Sequence, residues 1–386
     1  MSVTETEIQG TCAAGYEPVR DAFAENFAER DEIGASVAVV AHGEPVVNLW
    51  AGWADPARTR PWQEDTLTNV WSTTKPMTSL CAHILMDRVG LDMDEPVASY
   101  WPEFAAGGKG DIPLRWVMSH RSGLSGLAVP VTVTDYEDWE KITSLLAAQE
   151  PLWEPGTVSG YHAITFGFLV GEVVRRVTGE SLGRFFASEI AGLLGADFEI
   201  GLAEGDLERC SDVQGVRPSA EEQAATAAMM ANAHPAALAA LANPPLSGDE
   251  ANAPGWRKAQ IPAANGHGTA LALASIFGSL VDESERLISA ATLRAACTGQ
   301  GSCTDLVLGI PLEFGLGFGL SGAEHYYGPN PAAFGHDGFG GSAVWADPET
   351  GVAGAYVMNR MGMTLVGDAR RVALLDAIYR SLGRAG

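Results

Sequence analysis

The amino-acid sequence predicts an α+β fold, in which an antiparallel sheet drawn from both chain ends and flanked by terminal helices carries an all-helical lobe built from the middle. Three observations carry that expectation. Strand-like runs fall only near the two ends, within 35–53 and 314–359. Between them, apolar residues recur at helical spacing and are interrupted by Pro/Gly loops. At 386 residues the chain exceeds one small core, and 46% hydrophobic against 19% charged residues describes a globular chain rather than a disordered one.

In chain order, Tyr16 to Arg30 reads as an amphipathic helix. Ala35 to Ala41 and Pro45 to Trp53 read as strands joined by a turn at His42-Gly43-Glu44. A helical pattern follows through Thr78, Cys81, Ala82, Leu85 and Val89. A short helix, Leu114 to Ser119, closes at His120-Arg121-Ser122-Gly123-Leu124, a loop joint with a structural role. Ile164 to Val177 and the alanine-rich Ala220 to Asn243 read as further helices. Asn265-Gly266-His267-Gly268-Thr269 marks the return to the sheet and reads as a helix cap. Strands are expected at Phe314 to Leu320, Gly341 to Ala346 and Val352 to Asn359, the last two joined by a turn at Asp347-Pro348-Glu349-Thr350-Gly351. A final helix, Gly367 to Leu382, places Val372, Leu375, Tyr379 and Leu382 on one face. The order implies a discontinuous sheet domain, 1–70 with 266–386, and a mainly helical domain, 71–265. A cleft between them is the default active-site location.

Charge narrows the partners. A formal net charge of −24 argues against nucleic acid and anionic membrane as partners, and its dispersed acidic residues read as a solvated surface. Met1 to Gly10 carries two glutamates and no apolar core, so it is not read as a secretory signal, and no apolar stretch is long enough to span a bilayer. The five scattered cysteines suit reduced thiols, so a cytoplasmic protein is expected. With no Cys-x-x-Cys and no His-Glu-x-x-His, neither a metal nor another cofactor is expected. The oligomeric state is left open.

Ser72-Thr73-Thr74-Lys75 is the most informative segment. It stands where a Thr/Asn-rich stretch runs into a helical pattern, with Pro76 tolerated in a first turn. Residues three apart share a helix face, so the Lys75 amine can meet the Ser72 hydroxyl. The helix N-terminus favours an oxyanion beside Ser72, and a lysine neutralised by burial can act as its base.

Two further groups can converge there. Tyr161 follows the turn Trp153-Glu154-Pro155-Gly156 at the head of a helix, and near a cation it can act as phenolate or relay a proton. Phe334-Gly335-His336-Asp337-Gly338-Phe339-Gly340-Gly341-Ser342 precedes a strand, and its glycines allow a ligand close to the backbone. There His336 can donate to a substrate carbonyl or carboxylate, and the Phe339 amide can pair with that of Ser72 as oxyanion donors. A competing pattern, Gly179-Glu180-Ser181-Leu182-Gly183, matches a nucleophile elbow but follows a helix rather than a strand, so Gly179 reads as a C-cap and Ser181 as an N-cap.

In this order and on this architecture, Ser72-Thr73-Thr74-Lys75, Tyr161 and His336-Asp337-Gly338 resemble the serine β-lactamase and penicillin-binding-protein superfamily. The stretches 119–124, 153–165 and 334–342 are most similar to family VIII carboxylesterases. The resemblance covers most of the chain and implies a β-lactamase-like fold. It implies Ser72 as acylated nucleophile, Lys75 and Tyr161 as general base and acid, and His336-Asp337-Gly338 in place of Lys-Thr-Gly, with the Phe339 amide in the oxyanion hole. The family's Tyr-x-Asn appears as Tyr161-His162-Ala163, and no Ser-Asp-Asn is present. These departures argue against β-lactam turnover and against class A enzymes. The expected activity is hydrolysis of small carboxylic esters with short acyl chains. Acyl transfer, amide hydrolysis, weak β-lactam hydrolysis and acyl binding without turnover stay open.

Overall fold

Strand formation follows the chain ends. In the computed structural model, which describes residues 6–282, 284 and 286–383, three N-terminal strands form: β1 (Gln9–Cys12), β2 (Gly34–Ala41) and β3 (Glu44–Gly52). Residues 1–5 of the acidic N-terminal stretch lie outside the described residues. The β2–β3 hairpin turns at His42-Gly43, where both residues take positive φ (51° and 82°), the geometry that matches a two-residue turn to strand twist. Strand β1 lies where the sequence carries no strand signal; it is short and mostly exposed, and pairing with β3 along Gln9↔Trp50 to Cys12↔Val47 holds it.

Three short strands form a separate sheet: β4 (Thr68–Asn69), β5 (Phe198–Ile200) and β6 (Gly266–Gly268). The middle of the chain therefore contributes one strand beside its helices. Asn265 to Gly268 serves this sheet, while Thr269 caps the next helix by accepting from the Ala272 amide. The remaining strands are β7 (Cys303–Thr304), β8 (Pro311–Leu312), β9 (Gly319–Leu320), β10 (Phe334–Asp337), β11 (Ala343–Asp347) and β12 (Val352–Met358).

The main sheet has seven strands in the order β1-β3-β2-β12-β11-β10-β9, all neighbours antiparallel. Its centre is the pairing of β2 with β12, which joins the chain ends. Both strands are buried almost throughout and read as continuous apolar runs, the pattern of a strand covered on both faces. Helix Ala270–Val281 packs on β2, β11 and β12, and the terminal helices Glu17–Glu29 and Ala369–Ser381 pack on each other.

Three expected elements differ. Phe314 to Leu320 keeps only β9 as strand, because Gly317 takes φ 87° and the chain turns, with the Gly315 amide donating to the Phe318 carbonyl. Phe334 to Asp337, read as a glycine-rich approach to a strand, is itself a strand; its glycine has nothing to lose by lying between β9 and β11. The alanine-rich helix is two, Ala220–Ala231 and Pro235–Leu241, because Pro235 lacks the amide needed to continue the first helix.

Candidate active site

Ser72 sits in a 3-10 turn, Trp71–Thr73, which runs into the helix Thr74–Val89. Every residue from Thr66 to Leu85 is buried except Ser72, which is half-exposed. The turn is held rigidly. Thr74 donates to the Trp71 carbonyl at 2.6 Å and accepts from the Gly266 amide at 2.8 Å. Trp71 takes φ 49°, costly for a bulky residue at about 1–3 kcal/mol, and its ring is clamped between Trp256 and Phe339 at 5.5 and 5.6 Å.

The same turn is stitched to the main sheet. Ser342 donates to the Val70 carbonyl at 2.7 Å, so its single proton is spent and Thr73 must donate to it at 3.1 Å. Gly338 lies against this seam rather than in the cleft: a Cβ there would meet the Val70 carbonyl at 2.5 Å. Only glycine lets β10 run this close to the nucleophile turn.

Lys75 is fully buried, with Nζ 2.9 Å from Ser72 Oγ, 2.7 Å from the Ala163 carbonyl and 3.1 Å from the Ala263 carbonyl. Burial holds its pKa well below the ordinary lysine value. Among the described residues no carboxylate pairs with it; its nearest aromatic neighbour is the Tyr161 ring, 4.7 Å from Nζ. A neutral amine has two N–H groups and one lone pair. In the neutral form the two carbonyls take the N–H groups, which leaves the lone pair for the Ser72 hydroxyl.

Tyr161 lies in the loop before the helix Thr165–Thr178, and its side chain lines the same pocket as Ser72. Burial pushes its phenol pKa up, the nearby Ser72 side chain opposes this, and the charges of Asp305 and Asp337 add to the rise. That direction favours the protonated phenol over the phenolate alternative at rest.

His336 is also corrected. It is buried on β10, 6.0 Å centroid to centroid from Tyr161, and burial with the nearby Lys75 pushes its pKa down to about 3. Its Nδ1 lies 2.7 Å from the Asp337 carbonyl, which has no proton to give, so Nδ1–H is the donor. Nε2 is then a bare lone pair, and it has no partner among the described residues. Instead of donating to a substrate carbonyl or carboxylate, His336 offers an acceptor. Asp337 turns away, with one oxygen bound by Arg371 at 2.8 and 3.0 Å and the other by the Gly367 amide.

The structure brings Ser72, Tyr161, His336 and Phe339 onto one narrow pocket with about 30 Å³ of free space. Its walls are largely apolar, including Leu308, Leu312, Phe314, Leu365 and Val366. The Phe339 amide makes no hydrogen bond among the described residues, as an oxyanion donor requires. Ser181 stands apart: Gly179 closes its helix at φ 76°, Ser181 precedes the helix Leu182–Phe186, and its Oγ accepts from Gln260. Two supporting residues carry weaker sequence signals, His120 in the loop joint and Asp305 ahead of Leu306-Val307-Leu308, where an aspartate before a turn was the available sign.

Comparison with known proteins identifies the family. The family model described as Beta-lactamase matches residues 19–377. The chain is 38% identical over 364 residues to the esterase/beta-lactamase LipL of Mycobacterium tuberculosis, covering 89% of this chain and 81% of that one. A crystal structure of a family VIII carboxylesterase superposes with a TM-score of 0.90 at 42% identity, covering 97% of this chain and 100% of that one. A penicillin-binding-protein homolog from Caulobacter crescentus superposes with a TM-score of 0.87 at 39% identity, over 97% and 100% of the two chains. With Ser72 presented at a helix N-terminus beside a buried lysine, and with the match running across almost the whole chain, this protein belongs to the beta-lactamase family of serine hydrolases.

Proposed function

We propose that the protein is a carboxylesterase acting on small esters with short acyl chains through a Ser72 acyl-enzyme. The observation that carries this reading is the placement of Lys75 Nζ, 2.9 Å from Ser72 Oγ with its other contacts spent on carbonyls. Lys75 takes the Ser72 proton as Oγ attacks the ester carbonyl, and the amides of Ser72 and Phe339 receive the oxyanion. Tyr161 gives its proton to the departing alkoxide and is reprotonated from the Lys75 ammonium. Water then attacks the acyl-enzyme, the same groups run in reverse, and the acid leaves.

The pocket supports an ester rather than a β-lactam. Its narrow apolar walls suit a short acyl chain. A β-lactam carboxylate would face the bare Nε2 of His336, where two acceptors meet without a proton. At Ala163 the backbone carbonyl serves Lys75 and no side-chain amide is present. The names of LipL and of the family VIII carboxylesterase also support ester hydrolysis. Five unpaired cysteines and the charge of −24 support a cytoplasmic protein without nucleic-acid partners; among the described residues no helix is long and apolar enough to cross a membrane.

The test compares p-nitrophenyl acetate, butyrate and decanoate with nitrocefin. The expected result is highest kcat/KM on acetate or butyrate and little on nitrocefin. Nitrocefin turnover equal to that of the short esters would overturn the substrate assignment. Separately, Tyr161→Phe is expected to lower kcat by about 10²- to 10⁴-fold, because no other proton donor faces the leaving group in this scheme. Near-wild-type kcat would remove Tyr161 from the relay.

A further inference from the structure

The loop that presents Tyr161 is held by three consecutive amides. The Gly160 amide donates to the His120 carbonyl at 2.9 Å, that of Tyr161 to Asp305 Oδ1 at 3.0 Å, and that of His162 to His120 Nδ1 at 3.1 Å. Two of the three end on one residue. His120 is 1% exposed and takes φ 62°, a left-handed conformation that non-glycine residues adopt at a cost. Such strain persists only where the surroundings enforce it, and here they do. The imidazole lies 4.9 Å from the Tyr161 ring, 4.5 Å from that of Phe314 and 5.1 Å from that of Phe166.

The direction of the Nδ1 bond is fixed by chemistry. A backbone amide can only donate, so Nδ1 must be the acceptor and the neutral ring carries its proton on Nε2. The next residue in line is equally constrained: His162 Nδ1 donates to the Gly160 carbonyl at 2.6 Å, and its Nε2 accepts from Ser122 at 2.7 Å. The loop 160–163 thus has one arrangement, ending in the Ala163 carbonyl that receives Lys75.

We propose that His120 is a positioning residue that aims the Tyr161 hydroxyl at Ser72, by packing its tilted imidazole against the phenol ring and holding the following amide through its Nδ1 lone pair. This rests on the reading of Tyr161 as the proton relay. His120 touches no reacting atom; it acts through Tyr161.

The experiment uses His120→Asn and His120→Gln, each with Tyr161 intact and in combination with Tyr161→Phe. Asparagine places its Oδ1 where Nδ1 stood and tolerates positive φ; glutamine places its oxygen further out. Rates on p-nitrophenyl butyrate are expressed per active site, counted by stoichiometric release from a p-nitrophenyl phosphonate, so misfolded molecules do not enter. With Tyr161 intact, His120→Gln is expected to lose about 10- to 100-fold in kcat at nearly unchanged KM, and His120→Asn to recover most of it. With Tyr161→Phe, the Asn and Gln variants should become indistinguishable. Equal kcat for the two variants beside an intact, essential Tyr161 overturns the positioning role and leaves the relay standing. Wild-type kcat in Tyr161→Phe overturns the relay itself and the inference with it.

Discussion

Ser72→Ala is expected to lower p-nitrophenyl butyrate hydrolysis by about 10⁴-fold or more, while Ser181→Ala leaves kcat/KM within about twofold. The expectation follows from where the two serines lie. Ser72 is the single half-exposed residue in a run of buried ones, with Lys75 Nζ 2.9 Å from its oxygen and the Phe339 amide unengaged nearby. Removing Oγ removes the bond-forming atom, and water attacking unaided from the same pocket recovers little. Ser181 has a helix before it and Gln260 on its oxygen, with neither base nor oxyanion donors beside it. Steady-state rates on the two variants settle the matter; loss in Ser181→Ala alone would assign the chemistry to the other motif.

Lys75→Arg is expected to cost about 10²- to 10⁴-fold in kcat/KM, because a guanidinium keeps its proton and cannot accept that of Ser72. In the wild type the rate should rise with pH as the Lys75 ammonium loses its proton and then level off, and the variant should lack that rise. The same burial has a signature in stability. The folded pKa of Lys75 lies below the unfolded value near 10.4, so between the two the unfolded chain binds the extra proton. Stability of the wild type relative to Lys75→Met must therefore increase with pH, by about 1.4 kcal/mol per unit, until the unfolded lysine also deprotonates. Denaturant unfolding of both proteins from pH 7 to 10 measures this difference. A flat difference would mean that Lys75 folds as a cation.

How much of this was legible in the sequence depends on the kind of signal. Ser72 and Lys75 are related by helical spacing alone, so their meeting is a local property that one strand of text reveals. That both chain ends share one antiparallel sheet was legible in their strand-like runs; that β2 and β12 are the strands that join them, across more than 300 residues, was not. Strand β10 was not, because Gly335 and Gly338 read as turn residues while their actual service is close approach. The polarity of His336 was hidden for another reason: it depends on one backbone carbonyl of its own neighbour, and residue type alone does not state which nitrogen carries the proton. His120 and Asp305 meet Tyr161 from 41 and 144 positions away, contacts no periodicity announces.

The seam between the nucleophile turn and the sheet bears on how such a protein can change. Val70, Thr73 and Ser342 join two distant segments by short hydrogen bonds, and Gly338 closes the gap between them. The reacting groups stand on this joint, on a helix start and on a strand. The walls that meet the substrate come from elsewhere: Leu308 lies in the loop of the β7–β8 hairpin and Phe314 just past it, and Leu365 and Val366 lie in the connection before the last helix. Connecting segments tolerate replacement far better than a buried joint does. A lineage built on this plan can exchange its taste in acyl or alcohol groups by rewriting the connection that carries Leu365 and Val366, whereas the hairpin loop, whose Asp305 holds the Tyr161 amide, ties selectivity to reactivity.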